Sequence, residues 1–225
     1  MSAEDDAKKE MAKLGQKALE TSEKAGGWLD RVFGEGFRHL GAAFEDSMAA
    51  FRVRNRMRVL DKTRVAIEQA GMSGRTRPLD PRIAAPILDA ISDESDETLQ
   101  DVWASYIMDA VNPGKANPDR VLIDVIRKLE PIDWIILRKM FVVRSGELDP
   151  SEFDVSEDDA KVILERLAII DVLDSTQRGV RLISMGGAAY TPKELLKVTL
   201  GDRDYFSTRI FYRLADATLS QWSVK

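Results

Sequence analysis

The sequence predicts a mostly α-helical protein: a helical N-terminal and central region, then a small winged-helix-like α+β module near the C-terminus. Three observations lead there. Apolar residues recur every three or four positions through most of the chain, the period of one helix face. Helix-start signals punctuate the middle third at Asp80-Pro81, Asn117-Pro118 and Pro131, where Pro supplies a pre-set backbone angle for the first helical turn. Beyond Asp149 the segments shorten. There Ile169-Ile170-Asp171-Val172-Leu173 and Val180-Arg181-Leu182-Ile183 flank Asp174–Gly179, which reads as a β-hairpin.

Residues 1–27 form a polar, partly disordered lead rich in Ala, Lys and Glu, broken by Gly26-Gly27. Over 28–75 an amphipathic stretch passes into a basic one, read as a long helix. Leu29, Phe33, Phe37, Leu40, Phe44, Met48 and Phe51 make one apolar stripe. Gly34, Gly36 and Gly41 each weaken a helix by about 1 kcal/mol relative to Ala. Val53, Met57 and Leu60 lie nearly opposite Phe51, so a kink or handover is expected near Phe51–Val53. The alternation of Arg52, Arg54, Arg56 and Arg58 with apolar neighbours also has strand period. Helix is favoured because Val65, Ala66, Ile67 and Ala70 continue the pattern to a stop at Gly71.

The block 79–130 reads as helices. The first spans Pro81–Ile91. The second, capped by Asp93 or Ser95, turns Leu99, Val102, Trp103, Tyr106 and Ile107 inward, and the third carries Val121, Leu122, Val125 and Ile126. Residues 131–190 hold the winged-helix-like module: a helix from Pro131, a helix Glu157–Leu167 behind the capping signal Ser156-x-x-Asp159, and the hairpin. In 191–225, Pro192–Leu200 and Asp204–Leu219 are predicted helical.

Composition narrows the chemistry. The 225 residues, 44% apolar, suffice for one medium domain or two small ones. A net charge of −5 argues against polyanion binding by the whole surface. With no cysteine and one histidine, His39, a thiolate zinc site, a cysteine nucleophile and a histidine pair on metal are excluded within one chain. His39 is read as a helix-surface residue. The acids Asp89, Asp93, Glu94, Asp96, Glu97 and Asp101 lack the spacing of a calcium loop and suit helix starts. Phosphate-loop and nucleophile-elbow motifs do not occur. No catalytic, cofactor-binding or metal-binding residue is therefore predicted, and no cofactor. Neither a secretory leader nor a bilayer-spanning run is evident, so a cytoplasmic protein is expected, with contact at the inner membrane face as an extension.

Two surfaces remain as binding candidates. Arg52, Arg54, Arg56, Arg58, Lys62 and Arg64 could contact phosphates. The favoured reading is instead a helix paired with the acidic 89–101 segment. The stripe from Leu29 to Phe51 is read as an assembly or membrane face. The candidate recognition helix of the winged-helix-like module begins Glu157-Asp158-Asp159, which would face phosphates badly, so this module is read as structural or protein-contacting.

Several motifs resemble those of the abortive infection alpha (Abi-alpha) family of bacterial phage-resistance proteins. Arg54-Asn55 with Arg58-Val59-Leu60 resembles its basic helix. Ile83 to Ile91, then Ser92 and acids, resembles its apolar run ending in Ser-x-Glu-Asp. Leu99-Gln100-Asp101-Val102-Trp103-Ala104 resembles Leu-Gln-x-x-Trp-Ala, and Ile126 to Asp133 resembles Leu-x-x-Leu-Ser-Pro-x-Asp. Leu164-Glu165-Arg166-Leu167-Ala168-Ile169-Ile170 resembles Leu-x-Arg-Leu-Gly-Leu-Ile. Glu130 replaces the expected Ser and Ala168 the expected Gly. The resemblance covers about residues 50–190 and implies an antiviral role without transferable catalytic residues. The expectation is a non-enzymatic interaction protein, a homo-oligomer or partner of another protein, with peripheral membrane contact also open. The alternative is a nucleic-acid-binding regulator using the basic helix or the winged helix, and an enzyme is least expected.

Overall fold

The computed structural model describes residues 27–34, 47–143, 146–177, 196–200 and 203–218. The predicted polar lead over 1–26, His39, the stripe residues Phe37, Leu40 and Phe44, the predicted strand Val180–Ile183 and residues 192–195 of the predicted helix Pro192–Leu200 lie outside them. The chain divides into two compact units, one built from Met1–Ile123 with Ala217–Lys225, the other from Asp124–Asp216.

In the first unit, α1 (Trp28–Phe33) buries Trp28, Leu29, Val32 and Phe33. It ends at Gly34, whose φ of 71° lies in the left-handed region that a side chain disfavours. The amphipathic helix predicted from Trp28 onward therefore stops at Phe33, and Leu29 and Phe33 are core residues. Helix α2 (Ser47–Gln69) runs through Phe51–Val53 without a break, so the alternating Arg residues are helical and the expected handover is absent. Asn55, Val59, Leu60, Thr63, Ala66 and Ile67 face inward, whereas Met48 and Phe51 are exposed. Gly71, at φ 63°, closes α2 with Met72 N–H bonded to the Ile67 carbonyl at 2.9 Å.

The linker behind α2 is firmly held. Leu79 N–H bonds the Val32 carbonyl of α1 at 2.9 Å. Asp80 caps α3 (Pro81–Asp93) by accepting from Arg82 N–H, and Pro81 opens the helix as predicted. Pro86 stands inside α3 and removes one helix donor. Burial of Ile87, Leu88 and Ile91 carries the helix past it. Helix α4 (Glu97–Ala110) is capped by Asp96, not by Asp93 or Ser95. At its far end the Arg77 side chain donates to the carbonyls of Ala110, Lys115 and Ala116, so a linker cation satisfies the helix C-terminus. Helix α5 (Arg120–Ile126) follows, and the Tyr106 hydroxyl donates to the Asp119 carbonyl at its start.

The second unit opens with α6 (Pro131–Val143), strand β1 (Gly146–Leu148) and a 3-10 turn, Pro150–Phe153. Asp149 caps that turn, and the Ser151 amide holds its carboxyl below the usual range. Helix α7 (Glu157–Ile169) starts at the predicted Ser156, whose hydroxyl accepts Asp159 N–H and donates to the Asp159 carboxylate. Strands β2 (Leu173–Gln177), β3 (Leu196–Leu200) and β4 (Arg203–Ser207) precede α8 (Arg209–Thr218). The sheet order is β1-β3-β4-β2. Strand β1 runs parallel to β3, and the other pairs are antiparallel.

This differs from two helices and a simple hairpin. Ile169 ends α7, and Asp171 takes a left-handed φ of 62°, so the strand begins only at Leu173. Its described partner is β4, in the register Leu173↔Ser207. Within the predicted helix Pro192–Leu200, residues 196–200 are strand: Leu196, Val198 and Leu200 are buried with period two. Asp204 to Ser207 are also strand, and α8 starts later because the Thr208 hydroxyl accepts the Ile210 and Phe211 amides. Inside, Trp134, Phe141 and Phe211 form a chain of ring contacts at 5.8 and 4.8 Å. Phe211→Ala should cost about 3–5 kcal/mol in urea unfolding, because a fully buried ring would leave a cavity between α6 and α8.

Candidate functional site

Polar side chains inside an apolar interface are the natural place to look for function, and the first unit has a cluster where α2 crosses α3. Asn55 is buried, and its side-chain amide donates to the Ser92 carbonyl at 3.2 Å. Arg56 donates through Nε and Nη2 to Ser92 Oγ, at 3.1 and 2.7 Å, and through Nε to the Leu88 carbonyl. Burial pulls the Arg56 pKa down, and Asp89 opposes that shift. Ser92 Oγ in turn donates to the Leu88 carbonyl. One turn away, buried Gln100 donates to the Glu94 carbonyl at 3.0 Å, pinning the α3–α4 connection. The cluster ties α2 to α3, and Gln100 ties α4 to the turn behind α3.

The six predicted polyanion-binding cations do not form one open patch. Arg52 pairs with Asp93 at 2.8 Å and Lys62 with Asp101 at 2.6 Å, the pairing with the acidic segment that the sequence suggested. Arg64 lies between Asp61 and Glu68, whose hydrogen bonds raise its pKa. Arg56 is in the polar cluster. Arg54 is half-buried and Arg58 is exposed. A shallow cleft of about 230 Å³ beside Lys62 is lined by Asp61, Val65, Ala66, Gln69, Asp101 and Ala104. Of the predicted apolar face, Leu29 and Phe33 are core, while Met48 and Phe51 remain outward.

The second unit contains a buried ion pair. Asp133 has no exposed surface. Its Oδ2 accepts the Glu130 amide at 2.8 Å, capping α6, and both its oxygens accept Arg166 Nε at 3.0 Å. Arg166 Nη2 adds a third bond, to Oδ1, at 2.5 Å. This bonding raises the Arg166 pKa. The guanidinium thus joins α7 to the first turn of α6 through charge-assisted bonds. Neither residue stood out in the sequence as a site. An Arg beside Leu167, with Ile163 and Leu164 within a turn of it, was the available signal.

Asn55, Ser92, Gln100, Asp133 and Arg166 all belong to the motifs quoted above, and here they meet each other or the backbone beside them. A family model described as abortive infection alpha matches residues 51–183, more than half of the chain. The chain belongs to the abortive infection alpha family. No curated protein and no solved structure matches it. In this Abi-alpha protein the motifs separated in sequence are joined in space: the basic helix reaches the Ser92 turn, and the Asp133 motif reaches the Arg166 motif. Among the described residues no group of His, Asp or Glu could hold a metal ion, and no helix is long and apolar enough to cross a membrane.

Arg166→Leu should destabilise the second unit by about 3 kcal/mol, because it strands a buried carboxylate. Asp133→Asn with Arg166→Gln should cost less than the sum of the single changes, as a double-mutant cycle of chemical unfolding would reveal. Asn55→Ala should cost about 1–3 kcal/mol through the unpaired Ser92 carbonyl. Arg58→Ala, at an exposed site, should stay within about 0.5 kcal/mol. Equal losses at Asn55 and Arg58 would contradict the assigned roles.

Proposed function

We propose that this Abi-alpha protein acts in phage defence as a non-enzymatic interaction protein, through contacts made by outward apolar side chains. Family membership supports abortive infection at a general level. One observation carries the finer reading: the family-motif polar residues are engaged in internal bonds, at Asn55–Ser92, Gln100–Glu94 and Asp133–Arg166. Groups held this way stabilise a scaffold and are withheld from a substrate. The exposed apolar residues Phe51, Val142 and Ile169 are left for a partner, with the second unit serving as a winged-helix-like docking end.

The test is phage plating efficiency on cells expressing the full chain, Arg58→Ala or Arg166→Leu. The intact chain and Arg58→Ala should reduce plating alike, and Arg166→Leu should lose protection along with its fold. Absence of protection across a broad phage panel would remove the defence role. Loss of protection in a stably folded Arg58→Ala, with salt-sensitive nucleic-acid binding by the intact chain, would favour the polyanion reading instead.

A further inference from the structure

The linker between α2 and α3 is held from two unequal sides. Toward α4, the Arg77 amide bonds the Val111 carbonyl at 2.8 Å, and the Arg77 side chain donates to the Ala110, Lys115 and Ala116 carbonyls. Toward α1, the Leu79 amide bonds the Val32 carbonyl at 2.9 Å. Helix α1 depends on that docking, because its six residues are too few to stay helical alone in water. Gly27 stands at the N-cap, where it offers no side chain to the first-turn amides. Both ends of the helix turn at left-handed glycines, Gly27 at φ 69° and Gly34 at φ 71°. Burial of Trp28, Leu29, Val32 and Phe33 supplies the attraction. Against it, Trp28 Nε1 is buried with no hydrogen-bond partner among the described residues, and an unsatisfied donor favours return to water.

We propose that α1 is a strap that opens as one unit while α2, α3 and α4 stay folded, with the Val32–Leu79 bond as its latch. Closed, the strap keeps four apolar side chains in the core. Open, it turns Trp28, Leu29, Val32 and Phe33 from core into surface together and releases the Leu79 amide. Arg77 keeps the linker on α4 in both states, so Asp80 still caps α3. The inference goes beyond the interaction reading and does not rest on it.

Amide hydrogen exchange of the purified full chain, followed by NMR at low urea concentrations, tests it. The Arg31, Gly34 and Leu79 amides bond the Gly27, Asp30 and Val32 carbonyls, so they report the strap. They should share one opening, with a shallow urea dependence because little surface is exposed by it. The Arg77 amide and the Leu60 amide of α2 should be protected on the order of a hundredfold more strongly, with a steep urea dependence. Among the described residues a Cβ at Gly34 would touch nothing, so Gly34→Ala acts only by disfavouring φ 71°. It should quicken exchange at Arg31 and Leu79 alike, by about tenfold. A Leu79 amide as strongly protected as that of Arg77, with the same urea dependence, overturns the proposal. So does a Leu79 amide that fails to follow Arg31 in the Gly34→Ala variant.

Discussion

Asp133 is a carboxylate with no exposed surface, and such a group holds only where a cation and hydrogen-bond donors meet it. Here the Glu130 amide and the Arg166 guanidinium supply both. The constraint propagates outward. Capping α6 sets where that helix begins, and so which of its residues face inward as Trp134, Leu137 and Phe141. The Arg166 bonds fix the rotation of α7 about its axis. With both helices set, the chain of rings through Phe141 and Phe211 has one arrangement that packs.

The first unit solves the same problem with neutral acceptors, the Ser92 hydroxyl and carbonyl. An interface of Val, Leu, Ile and Ala can slide by one turn at little cost. The Asn55 amide and the Arg56 guanidinium, both directed at Ser92, make one register better than its neighbours. Gln100 then ties α4 to the same corner through the Glu94 carbonyl. Within each unit, a polar bond acts as the locator and the apolar contacts supply most of the stabilisation.

What the sequence made legible was local. Pro81 behind Asp80, Ser156 three residues before Asp159, and the Gly71 stop each satisfy backbone groups within a single turn, and each appears as read. The helical character of the central block followed from its period. What escaped depended on distant partners. Leu196–Leu200 is the exception: Leu-Lys-Val-Thr-Leu alternates strictly, a local strand signal that the helical reading of Pro192–Leu200 passed over. The stripe from Leu29 to Phe51 had helical spacing, but spacing alone does not register the left-handed turn at Gly34. Asp133 and Arg166 each looked like an ordinary surface charge, because their pairing spans a turn, a strand and most of a helix. The motifs that carried the resemblance were therefore visible well before their mutual contacts.

The parallel pairing of β1 with β3 bears on how the second unit assembles. Gly146 meets Leu196 across all of α7 and β2, so that ladder closes only after a long stretch of chain has been ordered. The first unit relies on packing among successive helices, which form fast. Its helices can also pair while the ribosome is still synthesising β3 and β4. A newly made chain thus acquires α1 to α5 early, and the sheet, in which β1 and β4 face an empty place until β3 docks between them, sets the pace of maturation.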